Sequence, residues 1–187
     1  MSSKNKGNPV SNKSKLWMEN TLLTLMQTEN YHEITIQEIT DHAGLSRRTF
    51  YRNYSSKDEI IKGCFYRIWL EYRALLLQQT DLSLPNIARV FFTVMKKHLD
   101  FLSLVNRHQL IPLLLAEIDV LLPPAFYEVK GESTPFSEES IQYALTFSTG
   151  GFMRILIRWL NDPVQKSPEE MAVLIKNFIS LCNYPNL

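Results

Sequence analysis

The chain has 187 residues, 45% of them hydrophobic, and a formal charge of only +1. That length sustains one large or two small buried cores; the near-neutral balance excludes a protein that gathers polyanions through its net field, so any such affinity resides in a local basic patch. Six glycines and nine prolines are few for an all-β protein, and no run reaches the roughly 18–20 uncharged apolar residues of a membrane span, so the expectation is a mostly helical chain with no membrane partner.

Residues 1–10 are polar and are expected to form a disordered tail. Lys4, Lys6, Lys13 and Lys15 all precede the first acid, Glu19, and no apolar segment follows them, which argues against a secretory signal. Cys64 and Cys182 lie far apart in apolar surroundings without metal-like spacing, as buried reduced thiols suited to a cytoplasmic protein. A first helix is expected from about residue 11 to 29, with Leu16, Leu23 and Met26 on its packed face.

Residues 35–57, TIQEITDHAGLSRRTFYRNYSSK, organise the rest. Thr35 and Glu38 stand at capping-box spacing, and Ile36, Ile39 and Ala43 follow at i, i+3 and i+7. Gly44 ends that helix, because glycine takes a positive φ without a Cβ clash, and Ser46 caps the next one. Advancing about 100° per residue puts Phe50 and Tyr54 on one side, with Arg48, Thr49 and Arg52 roughly opposite. Arg47, Arg48, Arg52 and Lys57 meet no acid before Asp58, a local excess of +4. A solvated basic face explains the charge alone equally well; the ordered caps, turn and inner aromatics favour a helix-turn-helix that reads DNA.

Ser56 and Glu59 repeat the capping-box spacing and open a long helix, carried by Ile60, Cys64, Arg67, Ile68, Glu71 and Leu75. If it runs through residues 57–78 it spans about 33 Å and joins the small head to the remainder. DLSLPN at 81–86 breaks the pattern, and two strongly apolar helices follow, interrupted near Val105 and Asn106 and stressed at Pro112. Residues 123–135, PPAFYEVKGESTP, have the composition of a mobile loop. A long helix from residues 137–140 stops at Asp162-Pro163; Ser167, Pro168 and Glu170 then start the last one. Gly150 and Gly151 fall in mid-helix, where each costs about 1 kcal/mol against Ala, and close approach of another helix is the expected offset.

The last two helices carry more apolar surface than one side needs. Leu145, Gly151, Phe152, Ile155, Trp159, Leu174 and Phe178 are the candidate residues for a four-helix contact with a second copy. Phe92, Met95, Tyr127, Tyr143 and Phe147 are candidates for lining an effector pocket, with His98 and His108 as polar fixing points. The ten-residue separation of those histidines suits no common metal site, and no cofactor is expected.

The run ITIQEITDHAGLSRRTFYRNYSSKDEI resembles the N-terminal signature of the TetR family of transcriptional regulators, over residues 16–70. AGLS in the turn, TFY in the reading helix and SK at the next helix start carry the likeness. The stretch TGGFMRILIRWLND followed by SPEEMAVLI is similar to dihydroxyacetone-kinase-type regulators. The resemblance implies an all-α homodimer: a tail (1–10), a three-helix helix-turn-helix head (11–56), a connecting helix (57–80) and a helical effector-binding and dimerisation domain (81–187). It further implies that Thr35, Thr49 and Lys57 touch phosphate, that Gln37, Arg47, Arg48 and Tyr51 face bases, and that Arg52 belongs to the same surface. Asn53 stands where the family often has His, and Tyr54 where it often has Phe.

The function expected is a ligand-responsive repressor that binds an inverted-repeat, double-stranded DNA operator and answers to a small-molecule effector. The rival is a co-regulator of the same fold that acts by protein contact without operator binding. No nucleophile and base pair, phosphate loop or carboxylate pair points to an enzyme.

Overall fold

A computed structural model describes residues 9–130 and 135–182. Among them are nine helices and no strand: α1 (Pro9–Thr28), α2 (Ile36–His42), α3 (Arg47–Asn53), α4 (Lys57–Leu76), α5 (Leu84–Lys97), α6 (Leu99–Arg107), α7 (Ile111–Lys130), α8 (Glu138–Leu160) and α9 (Pro168–Cys182). The chain divides into two compact units between Phe65 and Tyr66, inside α4. Residues 1–8, on which the expected tail with Lys4 and Lys6 falls, lie outside the described residues, as does the side chain of Cys182; Cys64 is a buried free thiol.

In the first unit α1 packs on α2 and α3, and α2 on α3. Its fully enclosed side chains include Met18, Leu22, Met26, Tyr31, Ile34, Ile39, Phe50 and Ile60. The packed face of α1 is Ser14, Met18, Leu22, Leu25 and Met26. This corrects the expected stripe: Met26 is inside, Leu23 half-buried and Leu16 exposed. Helix α4 buries Ile60, Ile61, Cys64 and Phe65 in its first half, whereas Arg67, expected on the packed stripe, faces solvent.

In the second unit α9 packs on α5, and α8 on α7 and α6. A relay of edge-to-face rings crosses this core: Tyr72 of α4 on Phe91 of α5 (centroids 5.9 Å apart), Phe91 on Phe152 of α8 (5.3 Å), and Phe92 on Trp159 (5.3 Å). Such pairs add roughly 0.5–1.5 kcal/mol each beyond the area they bury. Burial also pushes the Tyr72 phenol well above its ordinary range. Around the relay Glu71 of α4 receives Lys97 Nζ at 2.6 Å and meets His98 Nε2 at 2.8 Å, and Arg73 Nε donates to Glu128 of α7 at 2.7 Å. The bonds from Lys97 and His98 hold the Glu71 carboxyl below its usual range.

The interior breaks differ from expectation. The chain turns at His98 and again at 108–110, where Leu110 N–H reaches Val105 O at 2.8 Å and Gln109 N–H reaches Asn106 O at 3.1 Å. This is the paired closure that usually employs glycine, with Gln109 at φ 59° in glycine's place. Pro112 is not a stress point, since at the second position of α7 its missing N–H has no intrahelical partner to lose. The loop expected from residue 123 is instead helical as far as Lys130, with residues 131–134 outside the described residues. Pro123 and Pro124 each forfeit one intrahelical bond, but the residues four back, Asp119 and Val120, are solvent-exposed, on a side of the helix open to water, while Ala125 stays buried.

Replacing Gln109 with Gly should stabilise the chain by up to about 1.5 kcal/mol, the ~1–2 kcal/mol of left-handed strain less the ~0.5–1 kcal/mol of added chain entropy. A higher urea midpoint at unchanged slope is the expected readout.

Candidate nucleic-acid interface

Helices α2 and α3 have only seven residues each. Helices so short form only where caps and packing hold them. At α2 the Thr35 hydroxyl accepts Glu38 N–H at 3.2 Å, while Glu38 Oε2 accepts Thr35 N–H at 2.7 Å, completing the capping box. At its other end Gly44, φ 64°, lets Leu45 N–H reach Thr40 O at 2.8 Å and its own N–H reach Asp41 O at 3.1 Å. Ser46 then accepts Thr49 N–H at 3.1 Å and starts α3. One locally determined sequence of cap, turn and cap therefore sets the angle at which α3 leaves α2.

Phe50 is fully enclosed, and Tyr54, buried at the end of α3, donates its hydroxyl to Glu19 of α1 at 2.7 Å. With those two inside, Arg47, Arg48, Tyr51 and Arg52 face solvent, Tyr51 at 52% exposure. The Arg47 guanidinium lies 6.0 Å from the Tyr51 ring centroid, and the Tyr51 and Phe50 rings meet edge to face at 5.5 Å. The contact groups Arg47 and Tyr51 on one cationic, aromatic edge.

The other predicted DNA-facing residues are more committed. Thr49 is half-buried with its hydroxyl 3.0 Å from Ser46 Oγ, and Asn53 Nδ2 donates to Thr49 O at 2.7 Å. Gln37 is exposed and donates to Asp41 Oδ1 at 2.7 Å. The Thr35 hydroxyl proton goes to Glu38 at 2.8 Å, so the box already employs the group expected to meet a phosphate. Lys57 departs furthest from expectation: its ammonium donates to the carbonyls of Tyr31 (2.6 Å), Ile34 (2.6 Å) and His32 (3.2 Å).

The expected pocket set does not converge in the second unit. Phe92 and Met95 are sealed in the α5 core and Tyr127 is half-buried on α7, but Tyr143 and Phe147 point outward at 72% and 77% exposure. Of the expected dimer residues, Gly151, Leu174 and Phe178 are exposed and Leu145 and Ile155 half-buried. Trp159 is a correction, because it is buried on Phe92 and donates its indole N–H to Lys166 O at 2.9 Å. Phe152 likewise packs inward, on Phe91. The outward face of α8 is Tyr143, Phe147, Gly150 and Gly151, which sequence reasoning had divided between a pocket and a helix contact. The i, i+4 and i+7 spacing of Tyr143, Phe147 and Gly150 was the available signal. Among the described residues, no three His, Cys, Asp or Glu side chains are placed to hold a metal ion, and no single helix is long and apolar enough to cross a membrane.

Residues 21–64 match the family model described as bacterial regulatory proteins, tetR family. Residues 83–181, more than half of the chain, match one described as a transcriptional regulator C-terminal region of that family. Among solved structures, Lin0861 from Listeria innocua superposes with a TM-score of 0.79 at 14% identity, over 96% of each chain. A TetR transcriptional regulator from Streptococcus agalactiae gives 0.58 at 20% identity over 92% of this chain and 94% of that one. The dihydroxyacetone kinase operon activator DhaS gives 0.52 at 16% identity over 90% and 95%. At these identities the likeness concerns the fold. No curated protein matches the chain.

The Thr35 N–H holds the exposed Glu38 carboxyl below its ordinary value of 4.5. A depressed carboxylate contributes stability that is present above the ordinary value and is lost as pH falls through the folded-state value. Glu38→Gln should therefore be less stable than the parent at neutral pH, with the two converging in acid once the parent's Glu38 is protonated; urea midpoints at a series of pH values measure this.

Proposed function

Because this chain belongs to the TetR family of transcriptional regulators, we propose that it is a ligand-responsive repressor that binds an inverted-repeat operator as a homodimer. The observation that carries the proposal is the outward face of α3, where Arg47, Arg48, Tyr51 and Arg52 stand opposite the enclosed Phe50. A helix bearing that face enters a major groove with Arg47 or Arg48 free to pair bidentately with guanine, while the Tyr51 ring meets a thymine methyl and Arg52 a phosphate. Thr49, Asn53 and Gln37 flank it as secondary contacts. Thr35 contributes chiefly by holding the cap.

The dimer reading rests on the unpartnered faces of the last two helices: Tyr143, Phe147, Gly150 and Gly151 on α8, and Leu174, Phe178 and Leu181 on α9. Exposed apolar side chains of this kind fit an association site, and a two-fold pairing satisfies both copies at once. The paired reading helices then lie about 34–36 Å apart, or a multiple, to meet successive major grooves. A small-molecule effector bound in the helical core lowers operator affinity only insofar as it prefers a state with a different head spacing.

Selection of bound sequences from random duplex DNA tests the proposal. An inverted repeat is the expected product, and enrichment of nothing overturns operator binding in favour of a protein-contact co-regulator. Arg48→Ala should relax one base position in each half-site, at about 1–3 kcal/mol of lost discrimination. Phe178→Glu should convert a dimer to a monomer in light scattering while leaving helix content unchanged.

A further inference from the structure

The first turn of α4 poses an electrostatic puzzle. A helix N-terminus favours anions, yet α4 begins with the cation Lys57. The anionic partners that this terminus calls for are already supplied by the chain: Glu59 Oε2 accepts Ser55 N–H at 2.7 Å, and Asp58 accepts the Tyr31 hydroxyl. Glu59 is thereby held below its usual carboxylate range, and burial followed by the bond to Asp58 pushes the Tyr31 phenol well above its own. A phosphate approaching this turn would face two carboxylates.

Lys57 resolves the puzzle by turning away from the helix. Its half-buried ammonium has three N–H donors, and the carbonyls of Tyr31, His32 and Ile34 take them at 2.6, 3.2 and 2.6 Å, with the Tyr31 ring centroid 4.6 Å away. The same connection is closed from its other side by Asn30, whose side-chain oxygen accepts His32 N–H at 3.1 Å and whose carbonyl accepts Glu33 N–H at 2.9 Å. Thr35, which caps α2, follows directly.

We propose that Lys57 is a positioning residue: its ammonium latches the α1–α2 connection, and with it the cap of α2, to the first turn of α4. The latch is read from this geometry; its consequence for DNA rests on the operator-binding reading above. A displacement of α4 then acts on α2 through three charge-assisted hydrogen bonds at the loop, and Lys57 contributes to operator affinity without neutralising a phosphate.

Two measurements on the full chain test this. Operator binding is titrated across salt concentration for the parent, Lys57→Met, Lys57→Arg and, as a control, Arg52→Ala. Losing a phosphate contact lowers the slope of log K against log salt by about 0.9. For a latch, Lys57→Met lowers affinity by roughly tenfold or more with the slope unchanged, and Lys57→Arg does not rescue it, because a planar guanidinium cannot meet three carbonyls converging on one nitrogen. Hydrogen exchange without DNA is the second arm: the amides of His32, Glu33, Ile34 and Thr35 should exchange at least tenfold faster in Lys57→Met, with the α1 amides unchanged. A slope reduced by about 0.9, or full rescue by arginine, overturns the proposal; so does unchanged exchange at the loop. If the parent binds no duplex at all, operator reading fails while the exchange arm still decides the latch.

Discussion

Phe50 goes inward, and what the head presents outward follows from that. α3 is too short to hold its shape by backbone bonding alone, and a fully enclosed Phe stabilises its packed arrangement by roughly 1.5–3 kcal/mol. With Phe50 as a fixed point, 100° per residue leaves no choice about Arg48 and Arg52, which emerge on the far side. Tyr54 repeats the constraint one turn later. Its hydroxyl also gives the buried Glu19 carboxylate a hydrogen bond at 2.7 Å, one of the contacts that permit an acid inside a small core. The phenylalanine often found at that position in the family has no hydroxyl with which to make it.

Helix α4 is held in both compact units, and the two grips differ in kind. Its first turn is tied to the head through polar groups, Lys57 on three carbonyls and Asp58 on the Tyr31 hydroxyl. Its last turns are tied to the second unit by the Tyr72 ring on Phe91, with Glu71 and Arg73 making ion pairs at the periphery. The aromatic contact depends on burial and is little affected by salt, whereas the exposed ion pairs are worth about 0–1 kcal/mol and weaken as ionic strength rises. Directional hydrogen bonds fix an angle; ring packing fixes a position and tolerates sliding.

What the sequence made legible was local. The Thr35–Glu38 box, the Gly44 turn, the Ser46 cap and the Ser167–Glu170 box each involve residues no more than five apart, and all are found where the spacing puts them. What escaped depends on partners distant in sequence. Trp159 reads as surplus apolar surface until Phe92 and the Lys166 carbonyl are seen to enclose it. Pro123 and Pro124 read as a helix end because local propensity opposes them, and exposure of the preceding turn removes the objection. Lys57 reads as a surface cation because nothing in its own helix shows the three carbonyls twenty-odd residues upstream. Gln109 carries no turn signal at all, since glutamine seldom adopts positive φ.

The paired glycines of α8 join these two kinds of legibility. Their cost is local and visible in the sequence, about 1 kcal/mol each against Ala. A Cβ added at either position meets no atom within 4 Å, so packing among the described residues of one chain does not require them. Positions where a methyl group would be free to stand, yet which carry none, fit a surface on which another backbone comes close. Phe147 and Tyr143 lie one and two turns earlier on the same face, so the glycines form a depression at the end of an aromatic ridge. Two such helices related by a two-fold axis set ridge against depression in both directions at once. In the proposed homodimer such a contact would bury four exposed rings per pair and put the glycines where backbones approach most closely, so that one association would account for both departures from an ordinary surface helix.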